Sequence, residues 1–311
     1  MNLENKDAAG QMYAPVLSGR EMARFISALG IRKANTRTWQ LLLLGLLAGI
    51  YIGVGSHLYL VAMQENLGRI VSGAVFGVGL VLVVVAGAEL FTGNIIMIVG
   101  TLTSQFSLAK MLRNWTAVYA GNMAGSFLLV MLVWYSGLLF RSGAPTGVGA
   151  YAAGVAAAKL QLSFGEAFCR GILCNMLVIL AIIMAIFAKD IISKIACCIL
   201  PIMAFVASGF EHCVANMYLL PAGLMADGVP LAGQAVIFKN IIPVTLGNIV
   251  GGIGILMLHP NRIRQLIVLT RGALPEGNQD KSAAPSGGDC PAGPGGQRPA
   301  DLSKSTMSYP K

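Results

Sequence analysis

His212 stands in the run Ser208-Gly-Phe-Glu-His-Cys-Val-Ala-Asn216, where an imidazole and a carboxylate interrupt an apolar stretch. A neutral imidazole offers one donor and one acceptor, and its reference pKa of about 6.5 lets it exchange a proton near neutral pH. Two roles stay open for it, proton relay or hydrogen-bonding partner. Thr92, in Ala88-Glu-Leu-Phe-Thr-Gly93, carries a hydroxyl that can donate to a small oxyanion and accept from an imidazole. It can equally bond back to its own helix. Lys159 is the sole charged residue between Arg141 and Glu166. It either carries its ammonium toward a pathway or snorkels to an interface. Glu89 and Glu211 read as caps on irregular backbone or partners of a cation. Asn114, Asn122, Asn175, Asn216, Asn240 and Asn248 read as hydrogen-bonding groups between helices. His57 reads as a packing residue, with a place in a vestibule as its other reading.

The patterns of enzymes are missing. There is no H-E-x-x-H, no G-x-S-x-G and no phosphate-binding glycine loop. The six cysteines include no Cys-x-x-Cys spacing, so no metal and no cofactor is expected. A membrane enzyme using Glu211 and His212 as acid and base would lack a nucleophile.

Composition sets what must position these groups. Hydrophobic residues make up 56% of the 311 and charged residues 11%, with a mean hydropathy of +0.71. Soluble domains have about 25% charged residues, so this is an integral membrane protein. The net charge of +9 is spread between apolar runs rather than gathered in an aromatic-lined patch, which excludes a nucleic-acid partner. Apolar stretches at 41–63, 71–101, 115–139, 167–188, 191–222 and 241–258 predict six spans through a lipid bilayer. Lys and Arg concentrate before the first span, after the second and fourth, and beyond the sixth, so both termini are expected to be cytoplasmic. Residues 1–38 are expected to form a cytoplasmic segment with a short amphipathic helix (Met22, Phe25, Ile26, Leu29). Residues 39–265 are expected to form the membrane domain, and 266–311 a disordered cytoplasmic tail rich in Gly, Pro and Ser.

Residues 71–101 as one straight helix would reach about 46 Å, against a hydrocarbon core of about 30 Å. Both this run and 191–222 hold an acid beside glycines, Glu89 with Gly87 and Glu211 with Gly209. Irregular backbone at that depth is tolerated only where protein or a cavity surrounds it. The second and fifth spans are therefore expected to be broken helices. A repeat supports this. Glu89 and Asn94 match Glu211 and Asn216. Arg113-Asn114, six residues and Gly121-Asn122 match Lys239-Asn240, six residues and Gly247-Asn248. Three spans per half make the repeats inverted, over about 41–139 and 167–258. Inverted repeats with interrupted helices mark a membrane pathway. Half-helices starting at Thr92 and Cys213 would turn their amides toward an anion. An aquaporin-like channel for water or neutral solutes shares this architecture, although it would carry paired Asn-Pro-Ala at the breaks.

Four blocks, Gly87-Ala-Glu-Leu-Phe-Thr92, Arg113-Asn-Trp115 with Tyr119-Ala-Gly-Asn122, Ala207–Met217, and Asn240–Gly252, resemble the formate/nitrite transporter family over roughly residues 20–265. The resemblance implies an all-α, six-helix, aquaporin-like protomer in a homopentamer of a prokaryotic inner membrane. It implies transport of a small monovalent anion, formate first and nitrite or hydrosulfide next, passively or with a proton. It also implies His212 as the central pore histidine with Thr92 as its partner, and Lys159, Asn175, Glu211 and Asn216 as a polar ring behind it. Phe76 and Phe205 would form the outer constriction, with Leu80, Leu90 and Phe91 forming the inner one.

Overall fold

Apolar backbone in lipid must satisfy its own hydrogen bonds, so the runs fold as helices. The computed structural model describes residues 19–258. In chain order the helices are α1 (Gly19–Asn35), α2 (Thr38–Gln64), α3 (Gly68–Phe76), α4 (Val78–Val85), α5 (Phe91–Asn94) and α6 (Ile98–Leu102). They continue with α7 (Leu108–Tyr135), α8 (Gly147–Leu160), α9 (Phe164–Phe187), α10 (Ile191–Ala207), α11 (Cys213–Ala226) and α12 (Phe238–Leu258). Among the described residues, five stretches are long and apolar enough to cross a membrane: Thr38–Gln64, Gly68–Val85, Leu108–Tyr135, Phe164–Phe187 and Ala232–Leu258. This is a multi-pass helical membrane protein. Exposed Leu132, Ile192 and Leu200 give it the apolar exterior that lipid requires.

Local chemistry sets the helix starts. Ser107 accepts from the Lys110 amide, Thr146 from Gly149, and Asp190 from Ser193. Ser163 and Glu166 form a capping box on α9. Between α7 and α8 the chain makes a small hairpin, β1 (Phe140–Arg141) against β2 (Ala144–Pro145). It turns on Ser142 and Gly143, both at positive φ. The hairpin is a minor feature of an all-helical fold, and α8 is a helix of its own.

Several helix pairs are pressed together through glycine, α2 with α7 and α9 with α12 among them. A Cβ on Gly125 of α7 would sit 1.9 Å from the Leu46 carbonyl oxygen of α2. One on Gly251 of α12 would sit 2.1 Å from that of Ile172 on α9. Small residues let these backbones touch. Of the apolar positions expected on the amphipathic N-terminal helix, Ile26 is buried and Phe25 exposed. The Met22 side chain and the tail over 266–311 lie outside the described residues.

Candidate functional site

The expected second and fifth runs are each divided. Helix α4 ends at Val85 and α5 begins at Phe91; α10 ends at Ala207 and α11 begins at Cys213. Each stop is a glycine in left-handed backbone, Gly87 (φ 83°) and Gly209 (φ 74°), a conformation glycine adopts without steric cost. The Ala88 amide bonds back to the Val83 carbonyl at 2.9 Å, and that of Phe210 to Phe205 at 3.1 Å. These are helix-terminating turns that satisfy carbonyls otherwise left bare. Helix α5 opens one residue before the expected Thr92.

The irregular links are held by asparagines from the third and sixth runs. Asn122 Nδ2 donates to the Gly45 and Glu89 carbonyls, while its Oδ1 accepts from the Phe91 amide at 2.9 Å. Asn248 does the same with Gly171, Glu211 and the Cys213 amide, also at 2.9 Å. Each asparagine answers three backbone groups that a missing helical turn leaves open. The amides of Phe91 and Cys213 are therefore already bonded to side chains. An entering anion does not meet them free.

A second pair of clusters repeats in the same way. Lys159 Nζ donates to Glu211 Oε1 at 2.7 Å. Asn216 Nδ2 bridges Glu211 Oε2 and Asn240 Oδ1, both at 2.7 Å, and Asn240 donates to the Lys159 carbonyl. In the other half Lys33 Nζ donates to Glu89 Oε2 at 2.6 Å. Asn94 Nδ2 bridges Glu89 and Asn114, and Asn114 donates to the Lys33 carbonyl. Lys33 is the residue that sequence reasoning missed. Its neighbour Arg32 made it look like one more cytoplasmic charge; only the place of Lys159 before the second Glu–Asn pair pointed to an equivalent.

Where the two links approach one another, Thr92 Oγ1 and His212 Nε2 are 2.9 Å apart. The ring's other nitrogen, Nδ1, accepts from the Ala215 amide at 3.1 Å and caps α11. In a neutral ring that bond puts the proton on Nε2, so the imidazole donates to Thr92 and the threonine hydroxyl keeps its own hydrogen to give. Phe205 stacks on the imidazole with centroids 5.9 Å apart and meets Phe76 edge-on at 5.8 Å.

Two cavities flank this pair. The first, about 570 Å³, is lined by Lys159, Glu211, His212, Asn216, Phe76 and Phe205 among others. The second, about 420 Å³, is lined by Lys33, Glu89, Asn94, Leu90 and Gly93 among others. Of the expected polar set, Lys159, Glu211, His212 and Asn216 line the first cavity, whereas Thr92 and Asn175 line neither. Asn175 Nδ2 instead donates to the Asn248 carbonyl at 2.7 Å and, weakly, to that of Thr92 at 3.4 Å. Of the expected inner constriction Leu90 lines the second cavity. Phe91 packs edge-on against Tyr119, and Leu80 is buried in the core. His57 is bonded to the Tyr218 hydroxyl at 2.9 Å, away from both cavities. Among the described residues no three His, Cys, Asp or Glu side chains gather as metal ligands.

A helical membrane protein in which two interrupted runs bring an imidazole and a hydroxyl between two polar cavities has the form of a solute pathway. The profile described as Formate/nitrite transporter matches residues 20–260, and the chain belongs to that family. It is 34% identical over 275 residues to the formate channel FocA of Haemophilus influenzae, covering 81% of this chain and 95% of the relative. It is 40% identical over 255 residues to a probable formate transporter of Methanothermobacter thermautotrophicus, covering 76% and 92%. Among solved structures, a pentameric formate channel with formate bound superposes with a TM-score of 0.61 at 34% identity, covering 75% of this chain and 98% of the other.

Proposed function

We infer that this chain moves a small monovalent anion, formate first, across the cytoplasmic membrane, with nitrite or hydrosulfide as the same-family alternatives. In this reading residues 39–265 form six spans in two inverted repeats, with the second and fifth broken at Gly87 and Gly209. Five copies assemble, each with its own pore and both termini in the cytoplasm. The formate assignment of the relatives supports the substrate; the matched clusters around Glu89 and Glu211 support the inverted repeat.

The observation that carries the reading is the Thr92–His212 bond between the two cavities. Lys159 and Lys33 each stand beside a cavity and hold anions there by charge. Phe76 and Phe205 then present an apolar ring, which a hydrated charge crosses only at a cost of several kcal/mol. The anion passes with a proton, as the neutral acid. Because His212 Nδ1 is committed to the α11 amide and Nε2 donates to Thr92, the imidazole acts as a donor that orients Thr92. The proton that travels comes from water, while Thr92 and His212 hold the substrate between the rings.

The test is uptake of labelled formate by proteoliposomes under opposed pH gradients, with nitrite, hydrosulfide and lactate as competitors. Formate should accumulate on the alkaline side, and His212→Phe should lower its flux at least tenfold. Rapid water passage with no labelled formate entering would return the neutral-solute channel to first place.

A further inference from the structure

The two cavities share a framework but not a charge pattern. Three cations line the first, Arg69, Lys159 and Arg170, against one carboxylate, Glu211. Lys159 and Glu211 are bonded to one another and offset each other. Among the described residues neither Arg69 nor Arg170 has a carboxylate oxygen within 4.0 Å. The acid nearest to Arg170 in the chain, Glu166, lies within electrostatic reach of that guanidinium without pairing with it. Its Oε2 accepts from the Ser163 amide and hydroxyl at 2.9 and 2.8 Å. Two arginines without an ion pair thus line a space of about 570 Å³.

The second cavity is built differently at the same points. The carbonyl that holds the Glu211 amide belongs to Arg170; the one that holds the Glu89 amide belongs to Leu44. A leucine therefore stands where the first cavity has a guanidinium. The lysines differ as well. Lys33 Nζ donates to both Glu89 and Asn94, the latter at 2.8 Å. Lys159 Nζ donates to Glu211 alone, and Asn216 Oδ1 has no partner. With Arg32 as the one further cation lining the second cavity, the first carries one more guanidinium residue and spare ammonium hydrogens.

Guanidinium groups bind carboxylates and oxyanions through paired, parallel hydrogen bonds. One small ligand that answers two of them carries two negative charges. We propose that the Arg69–Arg170 cavity is a docking site for small dianions, short dicarboxylates or sulfate-like oxyanions, that fill the mouth without passing. The same cavity is lined by Phe76 and Phe205, whose ring centroids are 5.8 Å apart. Desolvating two charges there is harder than desolvating one, and one protonation does not neutralise the ligand. The dianion becomes a plug. Binding stands on the cavity alone; blocking rests on the transport reading.

Calorimetric titration of the purified full-length protein with malonate, and separately with sulfate, tests the binding. One dianion per chain is expected. Arg69→Gln and Arg170→Gln should each weaken it at least tenfold. Arg141→Gln, on the exposed β1 strand outside the cavity, should leave it unchanged. Arg69 is exposed at the start of α3, so that substitution carries the test alone if Arg170→Gln does not fold. Saturation by malonate only, or by sulfate only, identifies which source the site takes. Equal affinity in wild type and Arg69→Gln, equal loss with Arg141→Gln, or no saturable binding of either dianion overturns the proposal. In proteoliposomes malonate should inhibit formate uptake by the wild type and lose that effect in Arg69→Gln. Binding without inhibition removes the plug. Absence of formate flux from every sample sinks the transport reading and leaves the binding result standing.

Discussion

An imidazole that caps a helix is committed on one side before any substrate arrives. His212 accepts from the Ala215 amide at Nδ1 and bonds Thr92 through Nε2, so in the proposed pathway one side chain would join fold stability to substrate contact. The two duties separate by substitution. Asparagine is a good cap but is too short to reach Thr92, whereas phenylalanine can do neither. His212→Asn should keep the wild-type unfolding midpoint in detergent while losing most formate flux. His212→Phe should lose flux and about 1 kcal/mol of stability as well. Equal stability of the two variants would show that the Ala215 bond carries no weight. The Thr92 partner, 120 residues away in the chain, was legible only because each residue follows a glycine–acid break and because the family resemblance joined them. Periodicity alone contains no such pairing. The tautomer, which decides donor from acceptor, rests on a backbone amide whose position only the folded α11 reveals.

At the scale of elements, the pattern of acids, asparagines and glycines was readable because lipid imposes it. Every interrupted helix needs its free backbone groups answered, and an Asn on a neighbouring helix is a compact way to do so. Asn122 and Asn248 reach the links only while α2 lies against α7 and α9 against α12. The glycine contacts hold them there. Gly125→Ala and Gly251→Ala each drive a methyl group into a backbone carbonyl, which cannot move aside as a side chain would. Each should cost about 1–3 kcal/mol by overpacking, read as a lowered unfolding midpoint. Gly254→Ala, on the same α12 but with nothing within 4 Å, should be neutral or slightly stabilising. An unchanged midpoint for Gly125→Ala would mean the helices can part without loss. Helix α8 was not legible as a separate element. Its Ala- and Gly-rich sequence has almost no polar face to give a period, and its start depends on Thr146 capping after a hairpin that only the fold displays.

Across the whole molecule, the two halves use one design with unequal ends. The lysine of each half bonds the acid at the link, and the asparagine five residues on completes the cluster. Lys33 spends itself on two acceptors and is 11% exposed at the side chain; Lys159 spends itself on one and is 15% exposed. Removing either leaves a buried carboxylate unpaired, which typically costs about 3–5 kcal/mol. The loss at Lys33 should be the greater for stability, because Asn94 Oδ1 loses its donor as well. The loss at Lys159 should be the greater for transport, since its remaining hydrogens face the larger cavity. We therefore expect Lys33→Met to lower the unfolding midpoint more than Lys159→Met. At formate concentrations well below saturation, Lys159→Met should lower uptake more, several-fold relative to Lys33→Met at equal protein density. Both orders are read on the same purified samples, once by thermal unfolding and once by flux. If Lys33→Met were the less stable and also the poorer transporter, the lysines would differ only in how firmly each supports the fold. The charge difference between the cavities would then have no bearing on how the anion enters.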